Sequence, residues 1–271
     1  MNDLTAHTVL LVGAGRMGSA LLRGWLAQGL RPSQIAVREP YPAPEVATLL
    51  AEQGIASELL RGASPDVMVL AVKPQIMDAV LVEVAPLAGP ETVVLSVAAG
   101  RTIASFAARF REGAAIVRSI PNLPAEIGRG ITAACANDHV SQQQRETCDR
   151  LLRAVGDVEW IGDETLIDAI TAVSGSGPAY VFHLVECLAA AGEAQGLESG
   201  LAMRLARATV TGAAELLHRS PLAAAQLREN VTSPAGTTAA ALSVLMAEPE
   251  LRDMMIRAVS AATRRSRELA S

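Results

Sequence analysis

A chain of 271 residues with a net charge of −5, half of it hydrophobic and 19% charged, is long enough to bury a core and too apolar to remain disordered. Two Trp, two Tyr and three Phe, with more acid than base, exclude a nucleic-acid surface, which needs clustered Lys/Arg and stacking rings. Three cysteines without a C-x-x-C spacing and four scattered histidines give no metal site and suit reduced thiols in the cytoplasm. Met1–Thr8 lacks the basic-then-apolar pattern of a secretory leader. The most apolar stretch, Leu166–Ala191, is interrupted by Asp168, His183, Glu186 and a Gly-Pro pair, so it reads as buried helix and not as a membrane span. The expected partner is a small molecule.

Taken in chain order, Thr8–Val12 is a five-residue apolar run of strand type, and Arg16–Gln28 follows with helical spacing of its apolar positions. Ile35–Val37 and Asp66–Val72 read as further strands, each followed by a helical segment, Pro44–Gln53 and Gln75–Ala85. Thr92–Val97 and Ala114–Ile120 continue the series, and Gly130–Ala136 and Asp157–Ile161 flank a helix over Ser141–Ala154. Strands alternating with helices imply right-handed crossovers and a parallel, doubly wound sheet. After Gly162 the texture changes to Ala, Leu, Glu and Arg punctuated by Gly and Pro. The expected architecture is therefore α/β: a Rossmann-type sheet domain over 1–162, then an all-helical domain over 163–271. The Ala-rich helical faces suit either close packing in an intertwined dimer or a monomeric bundle.

Gly13-Ala14-Gly15-Arg16-Met17-Gly18 follows a strand and opens a helix, the context in which G-x-G-x-x-G cradles a dinucleotide pyrophosphate on a helix N-terminus. An acid at the end of the second strand binds ribose hydroxyls, whereas Arg there accommodates a 2′-phosphate. This chain has Arg38 followed by Glu39, which leaves NADPH and NADH both open. The basic residues are 22 arginines and one lysine, Lys73, in Ala71-Val72-Lys73-Pro74. That loop and Val97-Ala98-Ala99 end strands on the side where open α/β sheets bind ligands, so both are candidates to shape a nicotinamide pocket; a plain surface lysine is the alternative for Lys73.

Two clusters mark the helical half. Ser174–Tyr180 separates two helices and has neither the spacing nor the context of a nucleophile elbow, which disfavours serine-hydrolase chemistry. Thr232-Ser233-Pro234-Ala235-Gly236-Thr237-Thr238 precedes an Ala/Leu-rich helix, where hydroxyls and free N–H groups either cap the helix or bind a carboxylate.

Gly13–Gly18, Ala71–Pro74, Arg118–Pro124, Asp168–Tyr180 and Asn230–Thr238, in that order, make the chain resemble pyrroline-5-carboxylate reductase along its whole length. The resemblance implies reduction of 1-pyrroline-5-carboxylate to L-proline with NADPH or NADH. It also implies a substrate carboxylate held by Ser233, Gly236, Thr237 and Thr238, with the Thr238 hydroxyl near the ring nitrogen as the catalytic group. Glu164 and Asn230 are implied near substrate and cofactor, and the helical domain is implied to form homodimers that assemble into a larger ring such as a decamer. Ala235 departs from the family's usual glycine and puts a local backbone angle in question. A β-hydroxyacid dehydrogenase is the enzyme alternative, but such enzymes use a lysine in the helical domain, and this half has none. A non-catalytic nucleotide sensor is the alternative of a different class.

Overall fold

The computed structural model describes residues 7–58 and 64–270. Residues 1–6, on which most of the leader reading rests, lie outside the described residues, as do 59–63 and Ser271. The Cα packing separates one compact unit running to Gly175, which takes in the chain again from Thr263, and a second over Ser176–Ala262.

In the first unit, β1 (Val9–Val12), β2 (Ile35–Arg38), β3 (Val67–Leu70), β4 (Val93–Ser96), β5 (Ala115–Pro121), β6 (Gly130–Ala136) and β7 (Gly156–Trp160) form one sheet in the order β2-β1-β3-β4-β5-β6-β7. The crossovers are α1 (Arg16–Ala27), α2 (Pro44–Gln53), α3 (Met77–Val84), α4 (Ile103–Ala107) and α5 (Gln142–Arg153). Because strand side chains alternate with a period of two, Val9, Leu11, Val67, Val69 and Leu95 bury one face against Trp25 of α1 and Leu151 of α5. Leu10, Met68, Leu70 and Val94 bury the other against Met77 and Leu81 of α3 and Phe106 of α4. Both faces are covered, which is why these strands read as continuous apolar runs.

One pairing departs from the all-parallel expectation: β5 and β6 are antiparallel. The connection between them spans only 122–129 and holds a single 3₁₀ turn, Leu123–Ile127, whereas a parallel return needs a crossover of about a dozen residues or more. After β7 come α6 (Ile167–Ile170) and a π-helical turn, Thr171–Gly175. Ile167 is fully buried with Ile120, Ala133 and Cys135, so this segment packs as part of the sheet unit.

The second unit is helical: α7 (Gly177–Ala194), α8 (Ser199–Arg219), α9 (Ala224–Asn230), α10 (Thr237–Leu245) and most of α11 (Leu251–Ala270). Pro178 lies in the first turn of α7, where its missing N–H costs nothing. Glu198 starts α8 by accepting the N–H groups of Gly200 and Leu201 at 2.7 and 2.8 Å, and these bonds hold its carboxyl below the usual range. The short link between α7 and α8 makes them antiparallel neighbours, with Ala189, Ala202 and Ala206 buried. Phe182, Leu184, Leu205, Leu216, Val244 and Met246 are all exposed. Small residues lie inside and large apolar ones outside.

Candidate active site

In this strand order the chain reverses direction across the sheet between β1 and β3, the place where open α/β sheets bind ligands beyond the strands' C-terminal ends. β1 ends at Val12 and runs into Gly13, whose φ of +93° is strained for any residue with a Cβ. A Cβ there would also meet Ala71 O of the adjacent strand end at 2.8 Å. Gly13 N–H donates to Arg38 O of β2 at 2.8 Å, tying the turn to the neighbouring strand. Gly18 is required by close approach, since a Cβ would come within 3.0 Å of the Gly13 carbonyl carbon. Gly15, the N-cap of α1, is different: nothing lies within 4 Å of its would-be Cβ. No side chain caps α1, so its first-turn N–H groups are left for an anion. A closed inner side and an open outer side with unclaimed donors fit a dinucleotide pyrophosphate.

Around this turn, Ala14 is buried and Met17 packs on the core, while Arg16 is exposed and pairs with Glu126 at 2.7 Å. Glu39 Oε2 accepts the Ala14 N–H at 2.9 Å. Lys73 is exposed and extended at φ −63°, ψ 144°, as Pro74 demands, and begins a 3₁₀ turn, Pro74–Ile76. Ala71 N–H donates to Val12 O at 2.8 Å and Val97 N–H to Leu70 O at 3.0 Å. The glycine turn, the Ala71–Pro74 loop and the Val97–Ala99 loop therefore lie together at the C-terminal ends of the adjacent strands β1, β3 and β4.

Sequence reasoning missed Arg118. It lies in β5, its side chain 5% exposed, and its guanidinium reaches Glu164 Oε1 at 2.6 Å. The same oxygen accepts Ile103 N–H, the first of α4, at 2.9 Å. Ser119 Oγ donates to Ser96 O at 2.8 Å, and Ala98 N–H donates to Ser96 Oγ at 3.2 Å. The segment from Ser96 to Ile103 is thus pinned at both ends, and Glu164 acts as one of the pins. An arginine inside an apolar strand run was the available signal, because such a charge is buried only with a partner.

In the helical unit, Ser233-Pro234-Ala235-Gly236 closes a turn in which Gly236 N–H donates to Ser233 O at 3.1 Å. Pro at the second position and a positive φ at the third are the type II pattern, and Ala235 supplies that angle at φ +58°. A Cβ on Gly236 would collide with Ser233 Oγ. Gly236 is the N-cap of α10 without a side-chain cap, Thr237 and Thr238 form its first turn, and Thr238 is half-buried. This turn presents N–H donors and hydroxyls together, the chemistry of a carboxylate site. Asn230 is exposed at the last position of α9, just ahead of the turn.

Among the described residues no group of three or more His, Cys, Asp or Glu side chains could hold a metal ion, and no helix is long and apolar enough to cross a membrane.

Residues 164–269 match a family described as pyrroline-5-carboxylate reductase dimerisation, and residues 8–100 match one described as NADP oxidoreductase, coenzyme F420-dependent. A pyrroline-5-carboxylate reductase from Pseudomonas aeruginosa is 41% identical over 269 residues, covering 98% of each chain. One from Synechocystis is 39% identical over 96% of this chain and 97% of its own. The solved structure of a pyrroline-5-carboxylate reductase from Coxiella burnetii is 33% identical with a TM-score of 0.89, covering 98% of this chain and 99% of that one. The Plasmodium falciparum pyrroline carboxylate reductase, solved with NADP bound, is 27% identical with a TM-score of 0.79, covering 99% and 100%.

Proposed function

The chain belongs to the pyrroline-5-carboxylate reductase family, and we infer from that membership and from the glycine cradle that it reduces the imine of 1-pyrroline-5-carboxylate to L-proline with NADPH or NADH. The carrying observation is that a dinucleotide cradle and a carboxylate-type helix start stand in one chain that is 41% identical over 98% of its length to such a reductase. The cofactor's contribution is a hydride to C5 of the imine, whose C=N electrons pass to nitrogen and, with one proton, complete the amine.

Gly13, Ala14, Gly15, Arg16, Met17 and Gly18 hold the pyrophosphate, Arg38 and Glu39 face the ribose, and Ala71–Pro74 and Val97–Ala99 shape the nicotinamide end. Ser233, Gly236, Thr237 and Thr238 bind the substrate carboxylate through the α10 N–H groups and the hydroxyls, and Asn230 supports the cofactor side. The Thr238 hydroxyl accepts the N–H of the protonated imine and orients it. A protonated imine is already electrophilic, so positioning supplies most of the acceleration, an effect of up to about 7–11 kcal/mol in favourable cases. Glu164 serves through Arg118 and Ile103, by fixing the loop that precedes α4.

In this reading 1–162 is the dinucleotide domain and 163–271 the substrate and dimerisation domain of a cytoplasmic homodimer that builds a larger ring. The exposed large apolar residues of the helical unit support association, because monomers seldom leave so broad an apolar surface to water.

The test is the fall in reduced-nicotinamide absorbance on adding 1-pyrroline-5-carboxylate, with a six-membered cyclic imine alongside. Thr238→Ala is expected to lower kcat by about tenfold or more, the scale of one lost transition-state hydrogen bond, while dinucleotide binding stays intact. Equal losses in both would make the turn merely structural. A folded, cofactor-binding protein that oxidises no cofactor with any imine would favour a nucleotide sensor.

A further inference from the structure

The end of β2 carries one residue of each sign, and the fold holds the two side chains differently. Both oxygens of Glu39 are seated on backbone donors: Oε2 accepts Ala14 N–H at 2.9 Å and Oε1 accepts Tyr41 N–H at 3.1 Å. One of those donors belongs to the glycine turn itself. Ala14 is only 2% exposed, so swinging the carboxylate away would orphan a buried N–H as well as break a charge-assisted bond. Glu39 is therefore a fixed negative charge beside the cradle.

Arg38 is tied to the turn by its carbonyl, which accepts Gly13 N–H, and not by its side chain. Its guanidinium lies 3.8 Å from Glu58 Oε1, an ion-pair distance too long for a hydrogen bond. Glu58 thus adds a second carboxylate to this corner and offsets the one arginine. Beside the turn, a cleft of about 480 Å³ is lined by Arg16 and Arg23 against Glu45 and Glu126, and Arg16 is already paired with Glu126. The charges there balance, so they create no surplus positive field for an additional phosphate.

We infer that Glu39 makes this reductase selective for NADH over NADPH, an inference that rests on reading Gly13–Gly18 as the dinucleotide cradle. A ribose 2′-hydroxyl donates a hydrogen bond to an ionised carboxylate. A 2′-phosphate carries about −1.5 to −2 charge near pH 7 and is mostly without a proton to offer. Placed at the same position, it meets a like charge that is fixed in place. The charge of Arg38 is offset by Glu58 beside it and does not outweigh this.

The experiment is equilibrium binding of NADH and NADPH to the full-length protein without substrate, followed by nicotinamide fluorescence or titration calorimetry. Wild type is expected to bind NADH at least about tenfold more tightly, the ratio that 1.4 kcal/mol gives. Glu39→Gln keeps an acceptor for Ala14 N–H and removes the charge; it is expected to shrink that ratio to about threefold or less. Arg38→Ala is expected to leave the ratio standing. NADPH binding as tightly as NADH in wild type, or a selective loss of NADPH binding in Arg38→Ala, would overturn the proposal and make Arg38 the reader of the ribose. If a folded wild type binds neither dinucleotide, the cradle reading itself fails. An undiminished ratio in Glu39→Gln would likewise overturn it, and a wild-type ratio near one does so even if a variant does not fold.

Discussion

Ala235 occupies left-handed backbone space at φ +58°, the one non-glycine residue with positive φ among the described residues. Its Cβ costs about 1–2 kcal/mol there. Replacing it with Gly removes that cost but gives back about 0.4–1 kcal/mol of unfolded-state entropy. Ala235→Gly is therefore expected to stabilise the protein by between about 0 and 1.6 kcal/mol in urea unfolding, with kcat unchanged; a destabilised variant would mean that the turn is not strained. Cys135 is a second residue whose behaviour follows from its surroundings. Burial, and then the charge of Glu164, push its thiol up from 9.0 to about 11, with Arg118 pulling the other way. Because the folded value is the higher one, its contribution to stability is complete below pH 9.0 and is lost as pH rises towards about 11. Urea midpoints should fall across that window, and Cys135→Ala should flatten part of the fall. What remains belongs to the wholly buried Cys148, whose thiol burial raises as well. A fall of the same size in Cys135→Ala would show that this thiol takes no part.

The loop between β4 and α4 depends on a pair of side chains far apart in sequence. Arg118 and Glu164 meet at 2.6 Å, the arginine almost fully buried, and removing one member of such a pair strands the other. Arg118→Met is expected to cost about 3 kcal/mol of stability and to raise the dinucleotide KM more than it lowers kcat, with Arg118→Lys recovering part of both. An unchanged KM would confine the pair to stability. The elements themselves were largely readable from local pattern. Alternating strands and helices gave the doubly wound sheet, and Pro44–Gln53 and Gly130–Ala136 have the bounds read from sequence. The antiparallel β5–β6 pairing was missed because two apolar runs look alike whichever way they point. Only the length of the link between them distinguishes the two cases. The Arg118–Glu164 contact was missed because partnership across 46 positions leaves no periodic trace.

The helical unit buries Ala189, Ala202 and Ala206 at 2% exposure each and leaves Phe182 57% and Leu184 52% exposed. Such an inverted distribution is stable when a second surface covers the large residues. Sedimentation should give a multiple of the 28.2 kDa chain mass, and Phe182→Asp should shift the distribution towards the single chain. A wild-type mass of one chain would refute association. By itself, the sequence determined the alternation of strands and helices, the glycine turn between β1 and α1, and the hydroxyl-rich start of α10. Each is governed by residues within a few positions of one another, where backbone angles and periodicity act directly. Only the tertiary structure decided which strands neighbour and in which direction, which of the Arg38 and Glu39 side chains is fastened to the cradle, and what neutralises Arg118. These depend on hydrogen bonds and charges between residues that the chain brings together only after the sheet has formed.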